Sequence, residues 1–373
     1  MKFKKIKQKK ALLSILLIAF MLRFIGISWG LPFHFHPDEW NMAAAVSRLS
    51  WENMLNPNFF AYGQFPLYLS IFSAKAYGLL PWVKDTSVSI GEAIFFLRFW
   101  SAVAGGASVY FVYLISKRLL TTNYSLLAAL LAAFTPGLIQ ASHFGTTESL
   151  QSFFFLLLVY LSFKILKEDS LKHYFFAGAV LGLALGTKIS SLLFAAPVFL
   201  SAFINIYFSF LKKNWVKLIN QVTFLLFFMI ISVLFFVLFS PYVLLEFEET
   251  RRILTYETQV ALGQIPVFYT RQFIETKPVI YQITKIFPFA LGPVIFFLGF
   301  TGIIYLFILL ARSMVLKKIT LKRRELFVFF VSFFVFFLYQ SFLFCKWTRF
   351  MSPIFPFFAI FSALTLQKVA QKV

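Results

Sequence analysis

Apolar runs recur along this chain at a length that suits membrane spans. About 17–25 apolar residues cross the hydrocarbon layer as an α-helix, and lipid forces each backbone polar group to pair within its segment. Of the 373 residues, 60% are hydrophobic and only 13% are charged, whereas soluble domains carry about 25% charged residues. We therefore predict an all-α polytopic membrane protein with about ten transmembrane helices. The predicted spans are residues 11–30, 94–116, 125–142, 149–166, 174–187, 189–208, 221–240, 288–312, 325–345 and 352–367.

Basic residues cluster between these spans on one side of the membrane. With the N-terminus inside, the inner loops hold the basic clusters at 117–118, 164–172, 212–217 and 317–324, followed by Lys368 and Lys372. This pattern follows the positive-inside rule, so we expect both termini to be cytoplasmic in a prokaryotic plasma membrane. Topology and contacts with membrane lipids account for the net charge of +21, and we expect no nucleic-acid partner.

Two predicted outer loops are large, at residues 31–93 and 241–287. Within the first loop, residues 65–83 are apolar enough to span, but counting them as a span would put every later basic cluster outside. We therefore predict an interfacial or re-entrant helix over 65–83, and a second one over 39–55. The chain reads as one transmembrane domain over residues 1–373, with the two large loops forming its active-site face.

The motif His36-Pro37-Asp38-Glu39 follows the first predicted span. An adjacent carboxylate pair at membrane depth does nothing for insertion, so it indicates chemistry. One alternative is structural, because Pro37 favours a helix start and acidic residues complement the dipole there. We favour the other, in which one carboxylate faces a site as a general base and the other supports it.

Glu148 lies between two apolar runs, directly after Thr147. Two interpretations stay open: Thr147 caps a helix whose dipole Glu148 complements, or Glu148 is a second acidic group facing Asp38 across an outer cavity. The cofactor is unknown, although a divalent metal ion is an option. Its candidate ligands are His34, His36, Asp38 and Glu148, if the fold brings them together.

Four basic residues are candidates for binding an anion. Lys188 lies deep in apolar sequence, and a cation there that points at a cavity indicates a ligand such as phosphate. Lys346 and Arg349 occupy a short outer turn against the inside rule, which phosphate binding would explain. Arg271 lies in the second outer loop, whose charges, aromatics and amides suit a polyhydroxyl ligand. The alternative for the first three is headgroup contact. A solvated loop is the alternative for the other residues of the second outer loop, but not for Arg271.

In chain order, these motifs resemble a polytopic glycosyltransferase of the C-type superfamily, within the protein O-mannosyltransferase-like group. That group includes protein mannosyltransferases and bacterial lipid A aminoarabinose transferases. The resemblance runs over nearly the whole chain, and the Asp38-Glu39 pair after the first span is its most specific part. Further matching segments are Phe65-Pro66-Leu67-Tyr68, Arg98 to Ser108, Gly182 to Lys188, Ser240-Pro241-Tyr242, and Arg349-Phe350 followed by Pro353 and Pro356.

The resemblance implies a C-type fold and a polyprenyl-phosphate-linked sugar as donor. It implies transfer to an acceptor hydroxyl on the outer face, with inversion at the anomeric carbon. Asp38 would be the catalytic base and Glu39 its partner in the motif. The donor phosphate would be held by Arg349, Lys346, Lys188 and Arg271. The acceptor stays open between protein, lipid and glycan.

Two other functions compete with the transferase. In a transporter or flippase of lipid-linked sugars, Asp38 or Glu148 would be a proton site, but the sequence shows no clear paired repeats. The other is a catalytically silent relative that scaffolds an envelope-glycan complex, and the intact Asp38-Glu39 pair argues mildly against it.

Overall fold

The computed structural model describes residues 2–31, 33, 35–81, 87–316 and 320–371, with the side chains of 2–5 and 314 excepted. Helices are the only regular elements in these ranges, so the predicted all-α class is confirmed. The α-helices are α1 Lys2–Phe24, α2 Pro37–Arg48, α3 Phe65–Gly78, α4 Ile90–Leu119, α5 Thr122–Ala133, α6 Pro136–Ser142, α7 Glu148–Lys167, α8 Leu171–Leu185, α9 Ala196–Leu211, α10 Trp215–Phe239, α11 Tyr242–Leu245, α12 Phe247–Ala261, α13 Phe287–Leu291, α14 Pro293–Val315, α15 Leu321–Phe342 and α16 Phe355–Ala370. Short 3₁₀ turns cover Ile189–Ala195, Phe268–Phe273 and Thr348–Ile354, and a π turn covers Gln282–Ile286.

Seven helical segments of the described chain are long and apolar enough to cross a membrane, so this is an integral multi-pass membrane protein. Counting the pair α5 and α6, bent by 56°, as one span makes eight. The predicted number of about ten is not confirmed. The 15 residues of α8 extend only about 22 Å, and α1 carries lysines through its first half. The seven segments are Ile90–Leu119, Glu148–Lys167, Ile189–Leu211, Trp215–Phe239, Pro293–Ser313, Leu321–Phe342 and Thr348–Ala370.

Helices α2 and α3 lie in the first large loop, as predicted. The 14 residues of α3 extend about 21 Å, too short to cross the membrane. Both helices bury an apolar face against α4, with Met42, Leu67 and Leu97 at the contact. The predicted helix over 65–83 ends at Gly78, and residues 82–86 lie outside the described chain.

Helix α2 ends at Arg48, earlier than the predicted boundary at residue 55. The Asn53 side chain explains the early end, because its amide donates to the Arg48 carbonyl at 2.8 Å. Its carbonyl oxygen also accepts from the Ser50 amide at 3.1 Å. An asparagine that satisfies freed backbone groups in this way competes with continued helix.

The centre of the bundle is built around α16. In the segment Thr348–Ala370, 89% of the most apolar window is buried inside the protein, against 22% for Trp215–Phe239. Aromatic rings fill this centre: Phe357 stacks on Phe329 at 4.8 Å and packs against Phe155 at 5.0 Å. The most hydrophobic helix is therefore peripheral, since the surrounding lipid favours apolar side chains as much as the core does.

Antiparallel connections sort the helix termini onto two ends of the bundle. We call one end of the bundle the Asp38 end, because α2 starts there. The start of α7, the break 186–188 and the turn 343–347 also lie at this end. We call the opposite end the Lys212 end, after the turn 212–214 between α9 and α10. The end of α7 and the start of α15 also lie there. Glu148 and Leu166 are thus about 27 Å apart along α7.

Candidate active site

The first turn of α2 separates the two motif carboxylates. Pro37 is at the start of this helix, where its missing N–H costs nothing, and Asp38 and Glu39 follow. Successive helical side chains diverge by about 100°. Asp38 therefore faces the cluster described below, and Glu39 faces the bundle core.

Glu39 is one half of a buried ion pair. Arg98 donates from Nε and Nη2 to the two Glu39 carboxylate oxygens, at 2.7 Å each, and both side chains are almost fully buried. The Gly145 amide donates to the same carboxylate at 2.5 Å. Arg98 also donates to the Trp29 carbonyl at 2.6 Å. Because Glu39 joins α2, α4 and the loop before α7, its place is that of a positioning residue rather than a catalytic one.

Asp38 pairs with a cation from the other end of the sequence. Arg349 donates from Nη1 to Asp38 Oδ2, and both side chains keep partial access to solvent. Arg349 Nε is buried and finds no hydrogen-bond partner among the described residues. The Tyr62 side chain lies beside Asp38, and burial together with the Asp38 charge raises the pKa of Tyr62. Tyr62 therefore stays a neutral donor at working pH.

Glu148 pairs with Lys188 in the same cluster. Their charged atoms are 4.0 Å apart, a charge contact longer than a hydrogen bond. The Lys188 ammonium also lies over the rings of Tyr62, at 5.2 Å, and Phe350, at 5.0 Å. Burial lowers the pKa of Lys188, and the neighbouring Glu148 charge partly offsets this.

The structure lacks the Thr147 hydrogen bond that the capping interpretation of the Glu148 motif requires. Thr147 is the residue before α7, yet its hydroxyl makes no cap bond and is buried with no partner in the described chain. Glu148 itself is buried and directed at Lys188. This geometry favours the second interpretation, in which Glu148 is an acidic group of the same site as Asp38.

Backbone contacts between distant segments hold Tyr62 over Lys188. The amides of Gly63 and Phe65 donate to the carbonyls of Thr187 and Gly186, at 3.0 and 2.9 Å. A Cβ on Gly63 would lie 2.0 Å from the Gly186 oxygen, so only glycine allows this approach.

The motif Ser240-Pro241-Tyr242 also holds the segment of Tyr62 in place, through hydrogen bonds to Gln64. The Ser240 hydroxyl accepts from the Gln64 amide at 3.1 Å, and the Tyr242 amide donates to the Gln64 side chain at 3.1 Å. Tyr242 also donates its hydroxyl to the Met54 carbonyl at 2.6 Å. This motif is therefore structural support for the site.

Two predicted phosphate ligands lie outside the cluster. Arg271 is exposed on the 3₁₀ turn Phe268–Phe273 and makes no ion pair within the described chain. Lys346 is 4% exposed and donates to the Phe344 carbonyl at 3.1 Å. Burial lowers the pKa of Lys346, and no carboxylate pairs with it among the described residues.

The predicted metal ligands do not assemble. In the described ranges, no three His, Cys, Asp or Glu side chains come close enough to hold an ion. His36 packs its ring against Phe144 at 4.9 Å, and Asp38 and Glu148 each face a cation instead. His34 lies outside the described residues. The set His36, Asp38 and Glu148 is therefore not a metal site in this geometry.

Sequence reasoning missed two residues of the cluster. Tyr62 carries no motif signal, since only the fold brings it to Asp38 and Lys188. Glu257, on α12, is accessible to solvent yet close enough to Asp38, Lys188 and Arg349 to feel their charges. Packed surroundings and the Asp38 charge raise the pKa of Glu257. The sequence signal that could have identified Glu257 is its position on the amphipathic α12 in the second large loop.

The cluster thus combines an accessible carboxylate with two cations. Asp38 can accept a proton, and the neighbouring Arg349 and Lys188 can stabilise a departing anion. Partial burial weakens competition from water and strengthens both effects.

Comparison with known proteins finds one matching family model and several similar solved structures. The family model described as dolichyl-phosphate-mannose-protein mannosyltransferase matches residues 79–236. No curated protein sequence matches the chain.

Solved structures match the fold over most of the chain. AglB, an oligosaccharyltransferase from Archaeoglobus fulgidus in complex with an inhibitory peptide and a dolichol-phosphate, has a TM-score of 0.59 at 16% identity, covering 100% of this chain and 51% of AglB. ArnT from Cupriavidus metallidurans, bound to undecaprenyl phosphate, has a TM-score of 0.54 at 15% identity, covering 95% and 59%. The S. cerevisiae protein O-mannosyltransferase Pmt1-Pmt2 complex, bound to the sugar donor, has a TM-score of 0.50 at 18% identity, covering 65% and 34%.

This chain spans about half the length of AglB and somewhat more of ArnT. TM-scores of 0.50–0.59 establish a common fold, and at identities of 15–18% the likeness extends to the fold alone. The resemblance predicted from the sequence motifs is confirmed at this level. This protein has the fold of the C-type glycosyltransferase superfamily.

Proposed function

We propose that this protein is a membrane glycosyltransferase that moves a sugar from a polyprenyl-phosphate donor to an acceptor hydroxyl. The observation that carries the proposal is Asp38 against Arg349, whose Nε is a buried donor with no described partner. A carboxylate suits removal of the acceptor proton, and an unsatisfied guanidinium suits a phosphate oxygen. The matching family model and the lipid phosphates bound by AglB and ArnT support this donor class.

In the proposed reaction, the acceptor oxygen attacks the anomeric carbon and its proton passes to Asp38. The bond between that carbon and the phosphate oxygen breaks, and the electron pair leaves with the polyprenyl phosphate. Arg349 and Lys188 stabilise the charge of this leaving group. Attack opposite the leaving group inverts the anomeric configuration.

Arg349 links the two halves of this mechanism. Its guanidinium contacts Asp38 through Nη1, so a phosphate that engages Arg349 competes with the carboxylate. Donor binding would thereby free Asp38 to accept a proton. The Glu148 charge favours the protonated form of Lys188 and partly offsets the effect of burial, and Tyr62 lies beside Asp38.

The deciding experiment measures transfer of labelled sugar from a panel of polyprenyl-phosphate sugars by purified, reconstituted protein. We expect Asp38→Asn to lose about 100-fold or more of the activity, the contribution of a general base. Glu168→Gln is the matched control, since this exposed carboxylate lies at the Lys212 end. Retained turnover in Asp38→Asn would refute the assigned role of Asp38. Failure of every donor with wild-type protein, together with proton-coupled flux in sealed vesicles, would favour the transporter.

A further inference from the structure

A second pair of cavities lies at the Lys212 end of the bundle, on the far side from Asp38. The first, of about 290 Å³, is polar, and its lining includes Leu166, Phe208, Lys212, Lys217, Gln221 and Arg324. The second, of about 360 Å³, is apolar except at one edge and includes Leu200, Phe203, Ile204, Leu310, Arg323 and Phe327. Both are also lined by Phe208 and Arg324, so they adjoin.

The polar cavity has a basic lining without a compensating carboxylate. Lys212, Lys217 and Arg324 line it, and no acidic side chain of the described chain does. Two carboxylates are close in the structure but do not line the cavity: Glu325 accepts from Arg118, and Asp169 accepts from the side-chain amide of Gln221 at the cavity wall. This cavity therefore suits an anion of small size.

Arg323 and Arg324, which line the apolar cavity, each have a buried hydrogen-bond donor. Arg324 Nε and Arg323 Nη1 are shielded from solvent and have no hydrogen-bond partner in the described residues. The Arg324 guanidinium stacks 3.8 Å from the centre of the Phe208 ring, which fixes it between the two cavities. Buried unpaired donors are costly unless something accepts from them.

The apolar cavity favours a lipid over a free anion as the ligand. Phe203 and Tyr207 line it and are each 56% exposed in the protein, so a hydrocarbon chain there would cover them. A free phosphate carries no such chain. An anionic headgroup joined to an acyl chain would fill both cavities at once.

We propose that this pair of cavities binds one anionic glycerophospholipid, with its phosphate at Lys212, Lys217 and Arg324 and one acyl chain between α9, α14 and α15. The positive-inside pattern puts this end in the cytoplasmic leaflet, where anionic lipids are available. The site is about 27 Å from Glu148 along α7, so it is separate from the proposed transfer site.

The test uses the full chain in phosphatidylcholine nanodiscs, with phosphatidylglycerol added and the retained lipid counted by native mass spectrometry. We expect the wild type to retain phosphatidylglycerol in preference to phosphatidylcholine. Lys212→Gln/Lys217→Gln should weaken this retention about tenfold or more, since each cation makes a charge-assisted contact. Ile204→Trp should weaken it too, by filling the apolar cavity, and Arg324→Gln should act like the lysine pair.

The matched control is Lys172→Gln/Lys322→Gln, which removes the same charge from exposed positions at the same end but outside both cavities. We expect this control to retain phosphatidylglycerol like the wild type. Equal losses in the control and test pairs would overturn the proposal, because general surface charge would explain them. Displacement by inorganic phosphate, or preferential retention of an added polyprenyl phosphate, would overturn it as well. The exposed lysine pair keeps the test valid if Arg324→Gln fails to fold.

Discussion

In the proposed mechanism, Arg349 is the residue that couples the donor to the base. It meets Asp38 through one nitrogen and keeps Nε buried without a described partner. A lysine at this position would keep the charge but lose the forked donor set. The number of donors, and not the charge alone, is therefore the property to test.

We expect Arg349→Lys to raise the KM for the donor about tenfold or more, because a phosphate contact of a charged group is lost. Arg271→Lys is the matched control, since Arg271 is exposed and makes no described ion pair. Steady-state kinetics with varied donor would measure both. An equal effect in the two variants would return Arg271 to the list of phosphate ligands.

Lys188 should give the reaction an alkaline limit. Burial lowers the pKa of Lys188, so its charge is lost at a lower pH than that of a free lysine, and donor binding should weaken as pH rises through that pKa. Arginine stays protonated throughout this range. We therefore expect Lys188→Arg to flatten the rise in donor KM with pH. Identical KM profiles for the two proteins would contradict a phosphate-binding role for Lys188.

At the scale of elements, the site depends on one close backbone approach. The segment of Gly63 lies against Gly186, and this contact carries Tyr62 to Asp38 and Lys188. The elements that carry the remaining groups start at different points in the chain: α2, α7 and the turns at Ile189 and Thr348. Displacing α2 or either turn would separate the base from a cation, and displacing α7 would separate Glu148 from Lys188.

We expect Gly63→Ala to lower both activity and thermal stability, because its Cβ would lie 2.0 Å from a backbone oxygen. Gly91→Ala is the control, since a Cβ there meets nothing within 4 Å and alanine favours the helix α4. Transfer assays and a melting curve of each purified variant would compare them. A Gly63→Ala protein with wild-type activity and stability would show that the loop tolerates a shift.

At the scale of the whole molecule, the orientation of the bundle is a prediction from charge. Basic clusters collect at the Lys212 end, and most acidic residues collect at the Asp38 end. The inside rule then puts the candidate active site on the outer face.

Cysteine labelling of intact cells would test this orientation, using a Cys345→Ser background to remove the one native thiol. We expect Glu248→Cys, exposed at the Asp38 end, to react with an impermeant maleimide from outside. Lys172→Cys, exposed at the Lys212 end, should react only after permeabilisation. The reverse pattern would invert the topology and place the site inside.

Composition and the lengths of the apolar runs were enough to predict the membrane class and the helical fold, and Asp38 and Glu148 could be named as candidate site residues. Apolar run length depends only on local composition, and an ionisable group in apolar sequence is visible without a structure. The same logic found Lys188 and Arg349, two cations that the structure brings to the cluster.

Which of these groups come into contact depends on how the helices pack, and the sequence alone does not show it. Glu39 turns to Arg98 because successive helical residues face different directions, and Tyr62 reaches Asp38 through contacts between segments over 120 residues apart. Arg271 and Lys346 carry the same charge as Arg349, yet they lie outside the cluster. Residue type predicts which chemistry a side chain can perform. Packing sets the distances between side chains, and charges interact strongly only at short distances.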